Sequence, residues 1–93
     1  MDFLELFNGV AKIARPVHVS HTPVTERDLN LDEYGLDSLD LLMICIYLCE
    51  LYGIPEETGK DMPAETVQII EDFIMSHRTQ EPTSVADALE SIQ

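Results

Sequence analysis

Positive charge is what this sequence has least of. Five Lys and Arg stand against 18 Asp and Glu, so the 93-residue chain carries a formal net charge of −13 at pH 7. Such a chain repels nucleic-acid phosphates and anionic membrane headgroups, and both are excluded as partners. It attracts proteins with basic patches in a salt-sensitive way, and the same acidity aids solubility. Cysteine is scarce as well. Cys45 and Cys49 lie four apart, so on a helix they share a side, with their side-chain vectors poorly placed to bridge. Two thiols without further ligands make no zinc site, and they read as small hydrophobes. No apolar run reaches transmembrane length, and Asp2 and Glu5 stand where a signal peptide would be positive. A hydrophobic fraction of 45% supports one small core. The expectation is a single cytoplasmic domain, monomeric, with no membrane or nucleic-acid partner.

Two chemical motifs are also incomplete. Asp28-x-Asn30-x-Asp32 fits the first three positions of a calcium loop. Glu33 then stands where that loop needs Gly, and Leu39 where it needs a bidentate Glu, so no metal site is expected. The hydrolase elbow G-x-S-x-G is absent around Ser38, which has Leu36 two residues before it and Asp40 two after. No Lys or His is spaced as its base; His18 and His21 lie in a loop whose approach to Ser38 the sequence does not show. No catalytic residues are assigned, and the chain is not expected to be an enzyme.

What is present is helical periodicity. Asp2 and Glu5 form a capping-box pattern ahead of Phe3, Leu6, Phe7, Val10, Ile13 and Ala14, one stripe of a helix that Pro16 stops near Ala14. Gly9 inside it lowers helix propensity. Residues 16–36, punctuated by Pro16, Ser20, Pro23, Asn30 and Gly35, form a long connection that Val17, Val19, Val24, Leu29 and Leu31 pin to the core. From Leu39 to Tyr52 no Gly or Pro interrupts the chain, so one central helix fits, begun by Asp37 or Ser38 and ended by Gly53. Leu41, Ile44, Cys45, Leu48, Leu51 and Tyr52 make its core stripe, and Leu39, Leu42, Met43 and Ile46 a second stripe on the other side. Glu56–Asp61 has room for one helical turn before Pro63. A last helix begins between Pro63 and Thr66 and runs to about His77, which reads as a helix-end cation. Residues 80–93 follow a linker-like stretch and carry only a weak stripe. They are expected to be a short helix or disordered, and their removal to leave stability nearly unchanged.

Gly35-Leu36-Asp37-Ser38-Leu39-Asp40 resembles the prosthetic-group site of the acyl carrier protein family. Val24-Thr25, Asp32-Glu33, Ile54-Pro55-Glu56-Glu57 and Thr66-Val67-Gln68 resemble segments of bacterial acyl carrier proteins in the same order, so the similarity spans roughly residues 3–77. The resemblance implies an all-α four-helix bundle with a long first connection and a short third helix, a carrier domain over residues 1–79 and a tail over 80–93. It implies that Ser38 carries a covalent 4'-phosphopantetheine whose thiol holds acyl groups as thioesters. Asp37 would assist the phosphopantetheinyl transferase near its magnesium ion. A phosphate ester at a helix start agrees with the helix dipole.

By the same resemblance the central helix is the face that acyl-transferring and synthase partners read, here expected at Leu39, Asp40, Met43, Ile46 and Glu50. Fatty-acid carriers have acids along that face, whereas this chain has Met43 five residues after Ser38 and Cys49 eleven after it. The change favours a specialised carrier in lipid metabolism whose partners have apolar as well as basic docking surfaces. A polyketide- or peptide-type carrier, or an unmodified interaction module with the same fold, are the alternatives.

Overall fold

A computed structural model describes residues 2–14 and 23–92. It is all-helical among those residues. The helices are α1 (Phe3–Ala14), α2 (Ser38–Tyr52), α3 (Glu56–Gly59), α4 (Val67–His77) and α5 (Val85–Ile92), with a 3-10 turn at Leu31–Tyr34 ahead of α2. Val17, Val19, His18 and His21 lie outside the described residues.

Every helix but α3, which begins after Pro55 without a side-chain cap, starts where a side chain satisfies a free amide of the first turn. Asp2 Oδ1 accepts from the Leu4 amide at 3.1 Å, and Thr66 Oγ1 accepts from the Ile69 amide at 3.1 Å. Ser84 Oγ accepts from the Asp87 amide at 3.1 Å and starts α5. The buried stripe of α1 is Phe3, Leu6, Phe7, Val10 and Ala11; Ile13, expected in it, is half-buried, because the stripe follows the turn through Ala11. α4 buries Val67, Ile70 and Ile74, while His77 is exposed and stacks on Phe73 with ring centroids 4.3 Å apart.

The described part of the long connection is tied down at three places. Asn8 on α1 grips Val24 from both sides, its Nδ2 donating to the Val24 carbonyl at 2.9 Å and its Oδ1 accepting from the Val24 amide at 2.7 Å. Leu31 is fully buried, and its amide donates to the Glu65 carbonyl at 2.8 Å. Arg27 bridges Glu71 on α4 and Asp2 at the start of α1. Val24 and Leu31 thus pin the connection, but Leu29 is 37% exposed and does not, since its segment bulges outward between those anchors.

α2 packs on α1, and α1 in turn on α4 and α5. The C-terminal carbonyls of α2 are capped twice. Gly53 adopts the left-handed conformation (φ 65°), and the Ile54 amide returns to the Cys49 carbonyl at 2.9 Å. The linker then crosses the same end. The Thr79 and Gln80 amides donate to the Tyr52 carbonyl at 2.9 and 3.2 Å, and Thr79 Oγ1 donates to the Gly53 carbonyl at 2.6 Å.

This linker aims α5 back at α1. Ala88 is 1% exposed, Val85 and Ile92 pack on the core, and Leu89 lies over Gly9, where an added Cβ would come within 2.5 Å of Leu89 Cδ1. Gly9 therefore weakens α1 locally but makes the seat for the fifth helix. The segment 85–92 belongs to the core, contrary to the expectation that its loss would remove few contacts. Deleting residues 80–93 is expected to lower unfolding free energy by more than about 2 kcal/mol, from lost burial of several aliphatic side chains. Urea unfolding of the full and shortened chains measures it, and equal stabilities would show α5 to be dispensable.

Candidate functional site

The approach to Ser38 is built from backbone signals. Gly35 adopts the left-handed conformation (φ 77°) to end the 3-10 turn, and its amide donates to the Asp32 carbonyl at 3.1 Å. Asn30, in the candidate calcium loop, uses its side-chain oxygen to accept from the Asp32 amide at 3.2 Å and so caps that turn. Leu36 is buried and anchors the segment just before the serine. Asp37 is the N-cap of α2, accepting from the Asp40 amide at 2.8 Å, while Asp40 Oδ2 accepts from the Asp37 amide at 3.3 Å. The two aspartates complete a reciprocal capping box.

Ser38 is therefore the first residue of α2 and is not needed as its cap. It is exposed, and among the described residues its hydroxyl makes no hydrogen bond. A hydroxyl held at a rigid helix start, open to solvent and with no structural duty, can be esterified without disturbing the fold. The surroundings therefore fit a covalent phosphate ester on Ser38. The N-terminal dipole favours the anion, and the nearby Asp37 and Asp40 carboxylates oppose it through exposed, screened distances.

α2 is apolar on more than its core side. Ile44, Leu48, Cys49, Leu51 and Tyr52 are buried, and Leu41 and Cys45 are half-buried. Cys45 packs against the core as expected, and Cys49, outside the expected stripe, is buried as well because α3 covers it. On the other side Leu39, Leu42 and Ile46 are 66%, 56% and 48% exposed. A scattered exposed leucine is ordinary, but three at helical spacing beside one serine form a patch. Asp40 is half-exposed and Glu50 exposed at its edges; Met43, expected in the patch, is half-buried. Of the expected second stripe, Leu39, Leu42 and Ile46 form the patch and Met43 does not.

Beside the patch, between α2 and α3, lies a groove of about 400 Å³, within the range of small-molecule sites. Leu42, Cys45, Ile46, Cys49 and Ile54 make its walls, with Glu50, Glu56 and Lys60 also lining it. Ile54, Gly59 and Lys60 could not be singled out from sequence, because their role depends on α3 folding against α2. Burial pushes the Cys45 thiol up to about 11, helped by the neighbouring Cys49, and burial also raises Cys49. Both thiols are thus protonated at neutral pH and act as weakly polar wall groups, not nucleophiles. Among the described residues no cluster of three His, Cys, Asp or Glu is arranged to hold a metal ion, and no helix is long and apolar enough to cross a membrane. No protein-family model matches the chain, and neither a curated protein nor a solved structure is similar enough to count as a relative.

The raised Cys45 pKa has a definite sign in stability. The folded state holds the proton more tightly than the unfolded chain, so the contribution is complete below the ordinary value of 9.0 and is lost as pH rises through about 11. Comparing unfolding free energies of the wild type and Cys45→Ala at pH 8 and pH 10.5 isolates it. The wild type should lose more stability than the variant over this interval, and parallel losses would remove the burial effect.

Proposed function

We propose that this chain is an acyl carrier protein that bears phosphopantetheine on Ser38 and presents acyl thioesters to partner enzymes. The observation that carries the reading is the exposed, unengaged Ser38 hydroxyl at the first position of a helix already capped by Asp37 and Asp40. The sequence resemblance over residues 3–77 supports the same role. The prosthetic group supplies a thiol on a long tether. The chain's own residues hold the attachment oxygen in place and keep it accessible, with Asp37 near the transferase's magnesium ion. The chain makes and breaks no acyl bonds itself. Its place is the cytoplasm, in fatty-acid or related lipid metabolism, as a monomer.

Incubation with coenzyme A, magnesium and a broad-specificity phosphopantetheinyl transferase should add the mass of one phosphopantetheine, and Ser38→Ala should abolish the addition. An unmodified wild-type chain beside a control carrier that is modified would favour an unmodified interaction module instead.

The Leu39–Leu42–Ile46 face, edged by Asp40 and Glu50, is the docking surface in this reading. Its chemistry suits partner enzymes with an apolar groove and a basic rim. Leu39→Glu combined with Ile46→Glu should leave stability within about 1 kcal/mol, since both side chains are largely exposed. Partner-dependent acyl loading should fall at least tenfold. Unchanged loading at unchanged stability would move the docking surface elsewhere. Met43→Glu is less informative because its side chain is half-buried.

A further inference from the structure

We propose that Cys45 and Cys49 form a two-coordinate site for copper(I), which reaches both sulfurs through the groove between α2 and α3. The site uses these two side chains alone and does not depend on whether Ser38 is modified.

Both residues lie on α2, four apart, and both line the groove. Cys45 is half-buried and Cys49 is 8% exposed. Side chains four apart on a helix have Cβ atoms about 5–6 Å apart. A disulfide needs its Cβ atoms at about 3.5–4.5 Å, so oxidation to a bridge would distort the helix. Two metal–thiolate bonds of about 2.3 Å laid end to end span about 4.6 Å, which suits sulfurs carried by Cβ atoms at helical spacing. The spacing that refuses a disulfide therefore accepts a linear S–metal–S unit.

The surroundings set the coordination number. A Cβ on Gly59 would come within 2.6 Å of Cys49 Sγ, so the α3 backbone lies against this sulfur and closes one side of it to further ligands. Leu42, Ile46 and Ile54 form the other walls and offer no donor side chain. Glu50 and Glu56 are exposed, and their carboxylate oxygens are hard donors that suit a different class of metal. Among the described residues no third His, Cys, Asp or Glu completes a cluster. Zinc and iron–sulfur centres are held by more ligands than this, whereas thiolates select copper(I), a soft ion for which two suffice.

Loading balances without a redox step. Each S–H bond breaks, its proton goes to water, and its electron pair forms an S–Cu bond; the copper stays monovalent. The bis-thiolate complex carries one negative charge, which the Lys60 ammonium at the groove rim offsets. The chain's net charge of −13 raises the local concentration of any cation.

The test is anaerobic titration of the unmodified chain, which has no arm thiol, with copper(I) supplied as its acetonitrile complex. Native mass spectrometry should show a monomer that gains one copper and loses two hydrogens. X-ray absorption of the loaded protein should show two sulfurs in a single shell. Cys45→Ser and Cys49→Ser should each weaken binding about a hundredfold or more against a copper(I) chelator, since one of two soft ligands is lost. Leu39→Ser, outside the groove, should leave it unchanged. An equivalent of zinc should not displace the copper.

A copper shared between two chains, a first shell with oxygen or a third ligand, displacement by zinc, or undiminished binding in folded Cys45→Ser would each overturn the proposal. Should either serine variant fail to fold, the stoichiometry and the absorption shell of the wild type decide.

Discussion

The carbonyl end of α2 is the constraint on which the other elements depend. A fifteen-residue helix this apolar leaves its last carbonyls beside the core, where unpaired polar groups are costly. Gly53 turns the chain back on one side of that end, and Thr79 and Gln80 close it from the other. Gly53 has no substitute here, because its backbone is left-handed and a Cβ would run into Thr79 Oγ1. The first closure sends the chain into α3 and so forms the groove. The second sends it toward α1 and so seats α5. One capping problem thereby organises both the candidate ligand site and the C-terminal helix.

The opposite end of α2 is solved separately and locally. Asp37 and Asp40 satisfy each other's amides within four residues, which leaves Ser38 without a structural task. That division matters for function. A serine acting as its own helix cap would have to give up a hydrogen bond on esterification, and the start of the helix would fray. Here the Ser38 hydroxyl takes no part in capping, and Ser38 sits on the same helix as the Leu39–Leu42–Ile46 face.

Charge and apolar surface also divide the labour. A net charge of −13 disfavours contact between two copies of the chain, even with three aliphatic side chains exposed on one helix. In the proposed carrier reading the same charge draws in a cationic surface from a distance, and the apolar patch then contributes short-range contact. In the groove the order is reversed. Thiols and aliphatic groups form the interior, and the charged groups lie where water can reach them.

The helix periods, the caps at Asp2, Asp37, Thr66 and Ser84, and the breaks at Gly35, Gly53 and Pro63 are local chemistry, and the sequence by itself determined them. The position of Ser38 at the start of α2 belongs with these, since capping needs only neighbouring residues. Other features were settled only by the tertiary structure. Residues 85–92 look too short to be stable alone, and they form a core helix because Gly9 leaves room for Leu89 and the linker is held by Tyr52. Cys49 is buried beside Cys45 because α3 folds over it, and the groove exists because of that contact. Periodicity can show that α2 has two apolar sides. Which side is covered depends on elements far away in the chain, and no local signal encodes their arrival.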